Sequence, residues 1–245
     1  MVEKAAIVTG CSGDIGRAIA LDLAKQGHNL VLTQHRGSCR EIVHEIERLG
    51  NQAYLIHADL ANLNDLKEVI SLTKEKFGAL DVLVNNAGIN FHTPLFEIDE
   101  KEWDTVVDTN LKGTFFLSIY AFQIMKERNG GRIINISSQN SKDGGTLSGA
   151  HYAATKAGIN TLTIRLAREF APYKITVNAV APGPIMSAMT KQAPPDVYQA
   201  FLKKIPLGRE GKPEEVAAIV TFLASESASW ITGEIIDING GMYMD

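Results

Sequence analysis

A chain of 245 residues, 45% hydrophobic and 21% charged, has the composition of an ordinary folded protein and the length of one α/β domain, which excludes a disordered or low-complexity polymer. The formal net charge of -4, with Lys and Arg scattered along the chain, argues against a nucleic-acid surface and for a small-molecule partner. The two cysteines, Cys11 and Cys39, lack metal-type spacing, so neither a disulfide framework nor a cysteine zinc site is expected, as suits a reducing cytoplasm.

In chain order, Val- and Ile-rich runs at 5–9, 29–33, 52–57, 82–85, 132–137, 175–181 and 235–238 read as strands. Amphipathic stretches at 15–26, 41–49, 63–77, 102–127, 152–170 and 213–224 read as the helices between them. This alternation is the signature of βαβ units, and hence of a doubly wound parallel sheet with helices on both faces in a single domain over 1–245. Gly27 and Gly50 stand where left-handed helix C-caps belong, and Pro213 opens the last helix. The first strand starts too early for a secretion signal to precede it. The most apolar stretches, 113–125 and 216–224, fall short of the roughly 20 residues a membrane span needs and read as core helices. Residues 184–211, with Pro184, Pro194, Pro195 and Pro206 among Met186, Met189, Tyr198 and Phe201, read as a substrate lid or as a surface hairpin over a core edge.

Two groups of residues carry chemistry. The turn Thr9-Gly10-Cys11-Ser12-Gly13-Asp14-Ile15-Gly16 joins the first strand to the first helix, where glycines allow close backbone approach and a helix N-terminus attracts a pyrophosphate. Asp59 and Asn85-Asn86-Ala87-Gly88 end later strands at the carboxyl edge of the sheet, although Asp59 also reads as a helix N-cap and Asp14 as a first-turn acid. Tyr152 and Lys156 lie one turn apart on a helix, so an ammonium there is expected to lower the phenol pKa and tune an acid/base. Ser138, fourteen positions upstream, can donate to a substrate carbonyl, and Asn110 interrupts a long helix with a polar side chain.

Taken together, these residues resemble those of the short-chain dehydrogenase/reductase family from end to end, with Pro182-Gly183, Ile185 and Ser187 as further matches. The resemblance implies a Rossmann domain with strand order 3-2-1-4-5-6-7 and a homotetramer. It also implies an acid/base Tyr152, a Lys156 that lowers the tyrosine pKa and holds ribose, a carbonyl-orienting Ser138 and an Asn110 that supports a water-linked proton relay. Cofactor contacts would come from Gly10, Ser12, Asp14, Ile15, Gly16, Asp59, Leu60, Asn86, Ala87, Gly88, Pro182, Gly183, Ile185 and Ser187, with Tyr152 and Lys156. One extra residue between Ser138 and Tyr152 leaves Ser137 and Gln139 as alternatives to Ser138.

The second strand ends in Thr33-Gln34-His35-Arg36, without the carboxylate that selects NAD, so Arg36 and a 2′-phosphate point to NADPH over NADH. The C-terminal stretch, ending Asn239-Gly240-Gly241-Met242-Tyr243-Met244, resembles the 3-oxoacyl-(acyl-carrier-protein) reductases, which implies a carrier-bound acyl substrate with Arg128 near the mouth of the site. Tyr173 stands where a second arginine is expected. Reductases of small ketones, polyketide intermediates or sugar-derived alcohols remain alternatives, as does a cofactor-binding protein without chemistry. The six histidines show no zinc spacing, and His151 is placed to face substrate only by its nearness to Tyr152. No metal, nucleic acid or membrane partner is expected, and the expected setting is cytoplasmic.

Overall fold

Strands covered on both faces need apolar side chains at every position rather than at every second one. The central runs β1 (Lys4–Val8), β2 (His28–Gln34), β4 (Val82–Asn85), β5 (Gly131–Ile136) and β6 (Ile175–Pro182) are buried almost throughout, with polar residues such as Asn135 and Asn178 buried among the apolar ones. The less buried β3 (Ala53–His57) and β7 (Ile235–Ile238) take the two edges of a parallel sheet ordered β3-β2-β1-β4-β5-β6-β7. The computed structural model of the chain describes residues 4–35, 37, 39–145, 148–186 and 195–244.

Strand residues of alternate parity feed two separate cores. Val8, Leu30, Leu32 and Val84 pack under α1 (Asp14–Lys25), α2 (Arg40–Arg48) and α9 (Pro213–Ala224). Ile7, Val31, Leu83 and Ile133 pack under α3 (Leu63–Phe77), α5 (Gly113–Met125) and α7 (Ala150–Phe170) on the other face. Each fully buried Leu or Ile contributes roughly 1.5–3 kcal/mol to holding these layers together. Gly27 and Gly50 adopt φ of +80° and +89° just past α1 and α2, as left-handed C-caps require.

Strand and helix limits match the expected ones to within a residue or two, with one exception. The single helix expected over 102–127 is instead α4 (Glu100–Val107), a π turn at Asp108–Lys112, α5, and a short 3-10 turn at Lys126–Arg128. Asn110 sits in the π turn, where the widened backbone lets its amide turn inward. The early helix start also has a cause: the Asp99 carboxylate accepts the Glu102 N–H at 2.7 Å as N-cap.

The expectation for the cysteines is corrected. Cys11 and Cys39, 28 residues apart, form a disulfide, with both side chains fully buried. Their separation carries no spacing signal; the β1-α1-β2 crossover places both residues just past adjacent parallel strands, on one edge of the sheet. Among the described residues no helix is long and apolar enough to cross a membrane, and no group of three His, Cys, Asp or Glu could hold a metal ion.

Candidate active site

Between β1 and β4 the strand order reverses, and a cleft of about 1210 Å³ opens there at the carboxyl edge of the sheet. Its floor is the glycine turn: Gly10, Ser12, Asp14, Ile15 and Gly16 all line it. Gly16 has no substitute, because a Cβ there would overlap the Gly10 carbonyl and lie 2.6 Å from the Asn86 amide nitrogen. That amide donates to the carbonyls of Thr9 and Gly10 at 2.8 and 3.1 Å, and the buried Thr9 hydroxyl accepts the N–H groups of Asn86 and Ala87 at 2.9 and 3.0 Å. The two loops are thus locked together, leaving the N-terminus of α1 aimed into the cleft. This is a cradle of the shape and polarity that a dinucleotide pyrophosphate needs.

The remaining walls also hold expected residues: Asp59 and Leu60 on one side, Asn86, Ala87 and Gly88 on another, and Ile185 opposite. Asp59 is not the N-cap of α3; Asn62 fills that place, while Asp59 accepts the Ala61 N–H at 2.9 Å. Asp14 occupies the first position of α1 behind the N-cap Gly13. The lining further includes Thr33 and His35 from the end of β2 and, indicated by no motif, Lys101 and Asp104 from α4 and Asp108 from the π turn. The signal that could have found α4 is Asp99 three residues before Glu102, a helix-start pattern. Arg36 and Ser187, expected to hold cofactor, lie outside the described residues, as does Met189.

Next to Gly88 stand the residues expected to be catalytic. A Cβ on Gly88 would lie 3.3 Å from the Asn110 Oδ1 and 3.5 Å from the Lys156 Nζ, so both side chains close on this corner of the cleft. The fully buried Asn110 accepts the Ile89 N–H at 2.8 Å and donates to the Ile89 carbonyl at 2.9 Å, with a further donation to the Thr155 hydroxyl at 3.3 Å. Ser138 stands close enough to Tyr152 to act on its hydroxyl. Of the alternatives, Ser137 donates to Asn160 at 2.6 Å and Gln139 donates to Asp143 at 2.7 Å, so Ser138 is the residue that meets the tyrosine.

The electrostatics differ from expectation. Burial pushes the Tyr152 hydroxyl above the ordinary phenol value, and the Ser138 hydrogen bond pulls it partly back. Burial also pushes the Lys156 ammonium down to about 8. Its Nζ lies over the Tyr152 ring, 5.5 Å from the centroid, and donates to the Ile136 carbonyl at 2.6 Å. The ammonium therefore faces the ring rather than the oxygen, and Ser138 supplies the lowering expected of Lys156.

Two further placements are corrected. Arg128 follows α5 at the amino edge of the sheet, where it pairs with Asp81 at 3.5 Å just before β4; within one chain it is on the opposite side from the cleft. The side chain of His151 does not face substrate, being fully buried against Glu102. Pro182 and Gly183 end β6, with the Gly183 N–H donating to the Ile238 carbonyl at 2.9 Å. Beyond them Met186 N–H and Gly211 carbonyl pair at 2.8 Å, pinning together the two ends of the segment expected to be a lid.

A family model described as enoyl-(acyl carrier protein) reductase matches residues 10–243. The chain is 46% identical over 246 residues to the 3-oxoacyl-(acyl-carrier-protein) reductase FabG of Staphylococcus aureus, with 99% of each covered. It is 38% identical over 242 residues to the FabG of Thermotoga maritima, with 98% of each covered. A solved chain from Sinorhizobium meliloti, described as a short-chain alcohol dehydrogenase, is 38% identical and matches with a TM-score of 0.92, covering 99% of this chain and 97% of that one. Alike in sequence and fold over nearly its whole length, the chain belongs to the short-chain dehydrogenase/reductase family of nicotinamide-dependent oxidoreductases acting on ketones and alcohols.

Proposed function

We propose that the protein reduces the 3-oxo group of an acyl thioester borne by an acyl carrier protein, with NADPH as reductant, in fatty-acid or related acyl-chain synthesis. The observation that carries this reading is the placement of Ser138 and Tyr152 together at the corner where Asn110 and Lys156 close on Gly88. Two hydroxyls converging on one point suit a carbonyl oxygen that becomes an alkoxide, whereas saturating a carbon-carbon double bond requires a proton at carbon. This favours the ketone reduction named for the relatives over the enoyl reduction in the family description.

The bound nicotinamide would supply hydride to the carbonyl carbon. Gly10, Ser12, Gly16 and the N-terminus of α1 would hold its phosphates, Asp59 and Leu60 its base, and Lys156 its ribose. Ser138 holds the substrate oxygen and Tyr152 gives it a proton; a phenol raised by burial stays protonated at neutral pH, as a donor must. Asn110 keeps Ile89, and with it Gly88, in place. Arg36 would select NADPH by pairing with the 2′-phosphate, and the segment over 184–211, with Ser187, would close over the acyl chain.

Helix α5 is apolar all round, and Trp230 is 98% exposed with Phe222 also exposed on a second face. Such faces support the homotetramer. Arg128 can then serve a carrier protein only across a subunit boundary, and the setting is cytoplasmic. One observation favours a second reading, a small polar or sugar-derived ketone: near Ser138, the Ser148 hydroxyl accepts from Asn140 at 2.6 Å and Asn90 at 3.2 Å, a polar surround for an acyl chain.

The test is the initial rate of NADPH and of NADH oxidation with acetoacetyl-CoA, for the parent and for Tyr152→Phe. Fast NADPH-dependent turnover, lost in Tyr152→Phe with cofactor binding kept, is the expected result. Tight cofactor binding without turnover moves the assignment to the small-ketone reading, and unchanged turnover in Tyr152→Phe removes tyrosine as the acid.

A further inference from the structure

The first turn of a helix leaves N–H groups without partners, and α7 begins with a glycine, Gly149, whose lack of a side chain excludes an ordinary cap. The Tyr152 N–H belongs to this turn. It donates to the Nδ1 of the preceding residue, His151, at 2.9 Å. An Nδ1 that accepts a hydrogen bond carries no proton, so the ring proton is on Nε2. Nε2 in turn meets the Glu102 carboxylate at 2.9 Å.

The imidazole has no freedom to turn. Its side chain is fully buried while Glu102 is 25% exposed, and the rings of Phe91 and Trp103 lie against it with centroids 6.4 Å away on each account. A Cβ at position 149 would collide with it, so the glycine makes room for the ring. Glu102 and Trp103 both come from α4, the helix whose Lys101 and Asp104 line the cleft. A line of hydrogen bonds therefore runs from the cleft-forming helix through an imidazole of fixed tautomer to the backbone of the residue that carries the reactive hydroxyl.

We infer that Glu102 and His151 are positioning residues for Tyr152, setting the α7 first turn against α4 so that the phenol meets Ser138 and the substrate oxygen together. The inference rests on the reading of Tyr152 as proton donor. Partners that act through a reactive group typically change activity by about 10–100-fold when removed, because proton transfer tolerates little displacement.

Glu102→Ala and Glu102→Gln separate positioning from folding, since Glu102 is partly exposed and Gln keeps an acceptor oxygen for the Nε2–H. The rate with acetoacetyl-CoA is measured per cofactor-binding site, counted by fluorescence titration with NADPH. The expected result is a kcat about tenfold lower in Glu102→Ala, with KM values within about twofold of the parent, and recovery of most of the rate in Glu102→Gln. An unchanged kcat in Glu102→Ala overturns the inference, and so does a loss of binding sites in proportion to activity, or a Gln variant as slow as the Ala variant. Tyr152→Phe in the same assay keeps the two questions apart: if that variant still turns over, the proton-donor reading itself has failed.

Discussion

Tyr152 draws its tuning from burial and from Ser138, while Lys156 faces the ring and the Ile136 carbonyl. The spacing of four places Tyr152 and Lys156 on one helix face but says nothing of how far each side chain is desolvated, so the direction of the phenol shift was not legible in the sequence. Four residues picked out in the sequence, Ser138, Tyr152, Lys156 and Asn110, come together at one corner, because residues just past β5, in the π turn and on α7 reach the same sheet edge. The value of about 8 for Lys156 gives a pH test. Below it the lysine is charged, and as pH rises through it the proton is lost and with it the attraction to a bound anion. NADPH affinity should hold up to about pH 8 and then weaken, at most about tenfold per pH unit, while a Lys156→Met variant binds more weakly with no such bend. Fluorescence titration across pH 7 to 9 checks this, and a flat parent profile would take Lys156 out of cofactor binding.

At the scale of elements, the strands were the most legible part, since short Val- and Ile-rich runs such as Val82–Asn85 and Ile175–Pro182 alternate with longer amphipathic stretches, and both runs are buried throughout. The break between α4 and α5 was not legible. A π turn keeps helical backbone and helical residue types; the run Asp108-Thr109-Asn110-Leu111-Lys112 does not mark it, and what Asn110 does depends on Ile89, 21 positions away. Asn110→Leu should remove both bonds to Ile89 and leave its partly buried N–H and carbonyl without that partner, at about 1–3 kcal/mol. Urea unfolding reads this loss, and a change below about 0.5 kcal/mol would mean that the π turn stands without the asparagine. Arg128 shows the other limit: helix α5 was recognisable, but which edge of the sheet its far end reaches follows from topology.

For the whole molecule, the layered parallel sheet follows from alternation of strand and helix and its strand order from the family resemblance, while the link between Cys11 and Cys39 depends on a crossover that sequence separation conceals. Cys39→Ser should lower stability by about 3–4 kcal/mol, the chain-entropy value for a loop of this size. The parent treated with reductant under denaturing conditions and refolded should match it; equal melting of parent and variant would show that the bridge adds nothing to the fold. The same bridge has a mechanical consequence. A pull on the ends of the chain passes from Cys11 directly to Cys39, so α1 and β2, which lie in the ring between them, carry no tension. Stretched from its termini, the molecule would have a load path that skips the floor of its own cleft, and the contour length released on rupture would fall short of the full chain by the length of that ring.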